Sequence, residues 1–514
     1  MKLDETFLYS PKISSSPKCS AIMAFPGPES FAMSSLGYLW LFKDLDLDED
    51  ICVTRIYSDY KDPLPNPKSF DFIAFSMSFD MDFLKVFEIL EKLGIPLRKS
   101  DRDENYPLIF AGGPVVSANP TPYEDFFDFF IIGDGEHLNT EIVKTSKNKS
   151  RTEFLDYISA MDGVYVPNIS KNVTKRTQKK IEQVIYTPII SPNSFFKDTF
   201  IIEVARGCTN RCGFCLASYL NLPLRCVDFE KIVSAINLGL NHTKKIALLG
   251  AQLSAHPRFK DICTYIYDRI KNGENIEMSV SSLRVDTITP EILEVFRACG
   301  QKNITLAIEA GSERLRKVIN KNLTREQIFR AVEIAKNSGL KGFKFYGMIG
   351  LPTETDEDIE EMITLAKDLK KAYKGFDISF GFSTFVPKPH TPFQWCGREN
   401  SKSLEKKSNY LKKELHKLGV KAEMSSIKWD YWQAVLSRGD KSLGDFLIDT
   451  YKFGGKIGAF KKAALQNNID ADYYALSNFD TETTLPWDFI DLTPGKDFLE
   501  KEHDRLLKFG ETDK

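Results

Sequence analysis

The chain has 514 residues, of which 42% are hydrophobic and 27% charged; 69 Lys and Arg against 71 Asp and Glu leave a net charge of −2. This apolar content can offset ordering entropy, so a wholly disordered chain is excluded, and without a basic excess the charge gives no sign of a broad hold on nucleic acid. At ~100–200 residues per domain the length suits two to four domains. No apolar run approaches the ~18 residues a membrane span needs. The opening stretch MKLDETFLYSPKISS lacks the apolar core of a signal peptide, so the expectation is a cytoplasmic protein with no membrane partner. Nine cysteines are too few for a disulfide scaffold and point to metal binding or catalysis.

In chain order, residues 18–160 alternate strand-like and helix-like segments. Predicted strands are Cys19–Phe25, Ile51–Tyr57, Phe70–Ser76, Leu108–Ala111 and Phe127–Ile132; predicted helices include Phe31–Phe42 and Phe83–Leu93. Short apolar strands separated by helices predict a Rossmann-like parallel sheet covered on both faces. Two strands run straight into glycine turns, Gly112-Gly113-Pro114 and Gly133-Asp134-Gly135-Glu136, at the carboxyl edge where such sheets bind ligands. The turns also read simply as tight turns. Residues 161–197 read as a linker with one or two strands, and the basic run 171–180 reads as its solvated part or as an RNA contact.

From 198 to 395 the alternation is more regular. Predicted strands are Phe200–Ala205, Lys245–Gly250, Ile276–Ser281, Asn303–Glu309, Gly342–Ile349 and Asp377–Val386, with helices Asp228–Leu240, Arg258–Lys271, Pro290–Ala298, Arg325–Ser338 and Asp356–Ala372 between them. Six strands with helical crossovers predict a partial (βα)6 barrel of the TIM type, in which function collects on the loops after the strands. Residues 396–514 read as a mainly helical region, with Ser403–Leu418, Trp429–Arg438, Leu443–Tyr451 and Phe498–Leu507 as helices.

The segment Glu203-Val-Ala-Arg206-Gly-Cys208-Thr-Asn-Arg-Cys212-Gly-Phe214-Cys215 places three cysteines at C-x3-C-x2-C spacing after the first barrel strand. Three thiolates within eight residues can wrap one corner of a [4Fe–4S] cluster, which ordinarily has four cysteine ligands; three leave an iron open. Zinc is the rival, yet a structural zinc wants four protein ligands, and Cys226 is the only other Cys or His nearby.

This C-x3-C-x-Φ-C pattern, with Phe214 before the third cysteine on a strand-end loop, resembles the radical S-adenosylmethionine (radical SAM) enzymes. The resemblance implies that Cys208, Cys212 and Cys215 bind three irons and that SAM chelates the fourth through its amino and carboxylate groups. It further implies that reduction, by a donor such as flavodoxin or ferredoxin, cleaves SAM to a 5′-deoxyadenosyl radical that takes a hydrogen atom from substrate. Carried onto the strand ends, it implies SAM contacts at Gly250 and Gln252 in Leu249-Gly-Ala-Gln252, a departure from the common GGE form. Further contacts are implied at Arg284 in Ser281-Ser282-Leu-Arg284-Val-Asp286, at Glu309, at Gly347 and Gly350 in the glycine-rich fifth strand end, and at Val386. Taken singly, Arg284 pairing with Asp286 and Glu309 capping a turn serve equally well.

Together with Val386-Pro-Lys-Pro-His-Thr-Pro-Phe-Gln-Trp395, the N-terminal glycine turns are similar to the radical SAM branch that carries a cobalamin-binding-type domain. Cobalamin is left open: the D-x-H-x-x-G motif is absent, and His137, the only histidine before the barrel, does not fit it. A second cluster of the tRNA-methylthiotransferase kind needs three more N-terminal cysteines, and only Cys19 and Cys52 precede the barrel. Cys263 reads as core; Cys226, Cys396, Lys388 and His390 read as loop or core residues that can also face a substrate. Substrate choice has no readable motif. Methyl transfer and rearrangement both fit the chemistry, and a metal-stabilised binding scaffold without radical chemistry is the alternative.

Overall fold

The computed structural model describes residues 5–12, 16–147, 149–280 and 283–511. The N-terminal sheet contains β1 (Cys19–Phe25), β2 (Ile51–Tyr57), β3 (Phe72–Ser76), β4 (Leu108–Gly112), β5 (Phe129–Ile131) and β6 (Val164–Tyr165), in the order β2-β1-β3-β4-β5-β6. All neighbours are parallel except the edge strand β6. The chain turns to opposite sides after β1 and β3, which is the doubly wound arrangement and opens a crevice at their carboxyl ends.

Side chains alternate between the two faces of this sheet, as the period of two requires. Ala21, Met23, Phe72, Ala74 and Phe110 pack under the helices Leu36–Asp46, Leu138–Thr145 and Arg151–Ile158. Ile22, Ala24, Ile73, Phe75 and Ile109 face the helix Phe83–Lys92, and beyond it Trp432, Phe446 and Phe460 of the C-terminal helices. Phe83 meets Phe460 edge-on with ring centroids 6.1 Å apart. One face of the first sheet is thus covered by helices more than 300 residues later in the chain. The predicted helix Phe31–Phe42 is two helices, Glu29–Ala32 and Leu36–Asp46.

The barrel strands are β7 (Thr199–Glu203), β8 (Lys245–Leu249), β9 (Glu277–Val280), β10 (Asn303–Glu309), β11 (Gly342–Ile349), β12 (Asp377–Thr384) and β13 (Lys421–Met424). They form parallel sheets β7-β8-β9 and β10-β11-β12-β13. The six expected strands are present. A seventh, only four residues long, comes from the C-terminal region that the sequence pattern predicts to be mainly helical. Phe200, Ile202, Ile246, Leu248, Phe343 and Phe380 point outward into the layer of helices. On the opposite face, Ser279, Thr305 and Tyr346 are exposed, so the barrel interior is open to solvent there.

Residues 161–197 lie against the rest of the chain through short pairings. Val173–Thr174 pairs with Ile490–Asp491, Ile189–Ile190 with Thr6–Phe7, and Tyr186 bridges to Ile202 on the free edge of β7. Within the basic run, Val173 and Lys175 are buried. No helix among the described residues is long and apolar enough to cross a membrane.

Candidate active site

After β7, Ala205–Arg206 pairs antiparallel with Arg225–Cys226 and closes the cysteine segment into a loop. Gly207 opens the loop at φ 94°, and a Cβ there would lie 2.5 Å from the Asn221 carbonyl oxygen and 2.8 Å from that of Pro223. Only glycine tolerates both conditions. Cys208 and Cys212 are buried and Cys215 is half-buried. Asn320, itself at φ 56°, donates from Nδ2 to the backbone oxygens of Asn210 and Arg211, 3.0 Å each. The Tyr219 hydroxyl donates to the same Arg211 oxygen at 2.9 Å. Gly213 donates to Ile319 O and accepts from Phe393 N, both at 3.1 Å, with no room for a side chain beside Phe393 and Leu506. The C-terminal helix Lys496–Glu511 therefore lies over the loop; Arg211 stacks its guanidinium on Phe498 at 5.1 Å.

The thiols suit iron–sulfur ligation. Burial pushes the Cys212 thiol up to about 12 against the opposing charge of Lys321, and burial raises Cys215 despite hydrogen bonds from Ser218. Thiolates held this deep need a compensating positive charge, which metal ligation provides. Cys208 Sγ lies 3.5 Å from the backbone N and from Nδ2 of Asn210, and 3.5 Å from Gln252 Oε1. Among the described residues, no three His, Cys, Asp or Glu side chains converge on a point that one metal ion can occupy.

The other expected SAM contacts divide. Gln252 is buried against the cysteine loop, with Oε1 accepting from Asn210 Nδ2 at 2.5 Å. Gly250 lies alongside Ala205, where a Cβ would come within 3.1 Å of the Ala205 carbonyl oxygen. Glu309 is buried at φ 66° and pairs with Lys321 at 3.2 Å; a non-glycine residue held there stores local strain, a common mark of a site. Arg284 is bidentate to Asp286 at 2.9 and 3.0 Å and also donates to Lys321 O, so its guanidinium is already engaged. Ser281 and Ser282 lie outside the described residues. Gly347 makes room for Phe382 and Gly350 for Leu404, so both are explained by packing. Phe214 packs with Phe385, Phe393 and Leu506, whereas Val386 packs into the layer between the N-terminal sheet and the C-terminal helices. Asn210, Asn320, Tyr219 and Leu506 were missed by the sequence reading. Only Asn210 lay within the motif itself.

Family models for "Radical SAM proteins, N-terminal" and "Radical SAM superfamily" match residues 42–167 and 202–366. The uncharacterized protein MJ0966 of Methanocaldococcus jannaschii is 33% identical over 404 residues, covering 77% of this chain and 84% of that protein. The chain belongs to the radical SAM superfamily. Similarity to the threonylcarbamoyladenosine tRNA methylthiotransferase MtaB of Aquifex aeolicus is 29% over 181 residues, 34% of this chain and 43% of that one. The chain therefore spans less than half the length of that relative. In fold, this radical SAM chain is similar to the methyltransferase TsrM of Kitasatospora setae (TM-score 0.52, 12% identity, 70% of this chain and 72% of that one). It is also similar to the cobalamin-dependent radical enzyme OxsB (TM-score 0.53, 14% identity, 97% and 81%).

Between its N-terminal sheet and the β7-β8-β9 sheet of the barrel the radical SAM chain has a cavity of about 390 Å³, bounded by Tyr38, Phe75, Gly112, Gly135, Asn139 and Leu249 among others. Leu249 ends β8, three residues before Gln252, so the cavity reaches from the N-terminal sheet edge to the top of the barrel. A charge network closes one side. Arg206, two residues before Cys208, binds Asp134 at 2.8 Å, Glu136 at 2.6 Å and Glu203 at 2.8 Å; Arg225 binds Asp134 at 2.6 Å. Burial alone would raise the Asp134 carboxyl, but the two arginines hold it below the usual range. Burial also pushes Lys175, on the cavity wall, down to about 8. Asn139 Oδ1 is buried without a hydrogen-bond partner, an acceptor available to a ligand's N–H or O–H. Lys388 and His390 are taken up by structure. Lys388 pairs with Asp80 at 2.7 Å, and His390 Nε2–H donates to Ala118 O at 3.0 Å.

Proposed function

We propose that this chain is a radical SAM enzyme in which Cys208, Cys212 and Cys215 hold a [4Fe–4S] cluster and SAM is cleaved reductively to a 5′-deoxyadenosyl radical. When bound, the cluster supplies the electron for that cleavage and an open iron for SAM. The observation that carries this reading is the strand-end loop that holds three buried or half-buried thiols at C-x3-C-x2-C spacing, with Asn210 and Gln252 beside the first of them. A structural zinc calls for four protein ligands, whereas three thiols suit a cluster with one open iron. The chain's own residues position the loop (Gly207, Asn320, Tyr219), place the polar groups of Gln252 and Glu309 at the strand ends beside it, and shield it with Phe393 and Leu506. The cavity between the sheets supports a substrate or second cofactor reaching the barrel top. Flavodoxin or ferredoxin is the class of reductant this chemistry calls for.

A corrinoid in that cavity is a second reading. It is supported by the cavity's place at the carboxyl edge of a doubly wound sheet and by the unpartnered Asn139. No lower ligand to cobalt comes from His137, whose side chain is 66% exposed and faces Asp44 at 3.9 Å. Anaerobic reconstitution followed by SAM and dithionite tests the main reading. Wild type is expected to form 5′-deoxyadenosine and Cys212→Ala to form none. A loaded wild-type protein that never cleaves SAM, or one that takes up a single zinc and no iron, sinks it in favour of a metal-stabilised scaffold.

A further inference from the structure

Asn210 presents two donors to one sulfur, its backbone N–H and its Nδ2, each 3.5 Å from Cys208 Sγ. The same Nδ2 donates to Gln252 Oε1 at 2.5 Å, and that oxygen lies 3.5 Å from the sulfur. Sulfur, Nδ2 and Oε1 form a closed triangle. Nδ2 has two hydrogens, one for each partner. Gln252 and Cys208 are buried and Asn210 half-buried, so water competes little for these bonds and they act in a low local dielectric.

As a thiol, Cys208 can donate its S–H to Gln252 Oε1. A ligating thiolate has no proton to give, and the amide oxygen then faces negative sulfur. Turning both side-chain amides over together exchanges their roles and leaves one amide oxygen, now Asn210 Oδ1, 3.5 Å from the sulfur. Gln252 Nε2 then donates one hydrogen to Sγ and the other to Asn210 Oδ1. In either arrangement one side-chain amide N–H and the Asn210 backbone N–H point at Cys208. The other two thiols are served differently: Ser218 hydrogen-bonds Cys215, and Cys212 Sγ lies 4.0 Å from the Asn320 carbonyl oxygen, an acceptor.

We propose that Asn210 and Gln252 form a sulfur-facing amide pair that raises the reduction potential of a [4Fe–4S] cluster bound at this loop. The proposal rests on the cluster reading above. Its physical basis is that N–H donors stabilise negative charge on the ligand sulfur, and that charge grows when a low-potential external reductant adds one electron. Gln252 then serves the Cys208 sulfur, where the strand-end resemblance implied the SAM amino group.

The test uses the full chain, reconstituted anaerobically as wild type, Asn210→Leu, Gln252→Leu and the double variant. Iron and sulfide per chain are measured first. Midpoint potentials then come from EPR-monitored redox titration without SAM. Full cluster content is expected in all four. At a fixed potential the ratio of reduced to oxidised cluster should fall about threefold in Asn210→Leu, which removes the side-chain N–H facing the sulfur, ~30 mV toward negative values at ~59 mV per decade for one electron, and should change less in Gln252→Leu, which removes the partner that holds Asn210 together with an oxygen beside the sulfur. Unmoved midpoints at full cluster content overturn the proposal. So does a Gln252→Leu shift that appears only after SAM is added, because it assigns Gln252 to SAM. If the leucine variants do not load, pulsed EPR of reduced wild type carrying 15N only in the side-chain amides of Asn and Gln decides: a coupled amide nitrogen upholds the amide pair and its absence overturns it. Wild type that takes up no iron fails the cluster reading itself, an outcome distinct from a loaded cluster with an unmoved midpoint.

Discussion

At the carboxyl edge of the barrel, glycine shapes the proposed cluster loop: Gly207 and Gly213 let the backbone of the cysteine segment fold tightly under Asn320 and Phe393. At the carboxyl edge of the N-terminal sheet, the same residue type serves packing. Gly113 (φ 111°) and Gly133 (φ 104°) sit where a Cβ would meet the Met77 oxygen at 2.4 Å and the Arg176 oxygen at 2.1 Å, backbone against backbone. All four glycines of those turns border the cavity, but only Gly112 and Gly135 leave ordinary space beside them. The contrast shows that a glycine after a strand reports close approach of something, and that the approaching partner must be identified before a ligand is inferred.

Substitutions sharpen this comparison. The largest effect is expected at the thiols: Cys212→Ala should lose most of its iron and its 5′-deoxyadenosine formation, exceeding the ~10–100-fold commanded by mere outer partners of metal ligands. Next come the glycines. Gly207→Ala and Gly133→Ala each combine a left-handed backbone with a backbone collision and should cost about 3 kcal/mol or more by chemical denaturation. Gly273→Ala, at φ 97° with nothing within 4 Å, should cost only about 1 kcal/mol. Gly135→Ala should stay within about 0.5 kcal/mol; a large loss there would contradict the division between tightly and loosely surrounded glycines.

A smaller, pH-dependent effect belongs to the contact between the sheets. His390 is fully buried, and burial lowers its pKa to about 3 while its Nε2–H donates to Ala118 O. A depressed histidine gives stability that is complete above the unfolded value of ~6.5 and lost as pH falls from there toward 3, of order a few kcal/mol. Asp82 and Glu354, raised by burial to about 7, act with the opposite sign, so the quantity to measure is the difference from His390→Gln. That difference should change between pH 6.5 and 4 and be flat from 7 to 8. Arg284→Gln breaks a pair with Asp286 and should cost about 1 kcal/mol at most with little change in the KM for SAM. A tenfold rise in that KM would return Arg284 to the SAM site.

Much of this was legible in the sequence because the signals were local. Asn303–Glu309, Gly342–Ile349, Pro290–Ala298 and Asp356–Ala372 fall as expected, each an apolar run or an amphipathic helix with a clear start. The cysteine spacing and Phe214 located the loop. What clamps it was not legible. Asn320 reaches Asn210 across 110 residues, and Leu506 meets Gly213 across nearly 300; topology makes those contacts and no local periodicity records them. Strand β13 escaped because four residues carry too little pattern. Arg284 illustrates the remaining difficulty: the sequence supports both the ion pair and a ligand contact, and only geometry shows the guanidinium already bound to Asp286.

The most direct test of the central claim is the EPR spectrum of the reduced, reconstituted protein before and after SAM is added. Three protein ligands and one open iron predict a [4Fe–4S]+ signal whose g values change on SAM binding. A signal that SAM leaves unaltered, or a protein that binds one zinc and yields no iron–sulfur signal, would contradict the account.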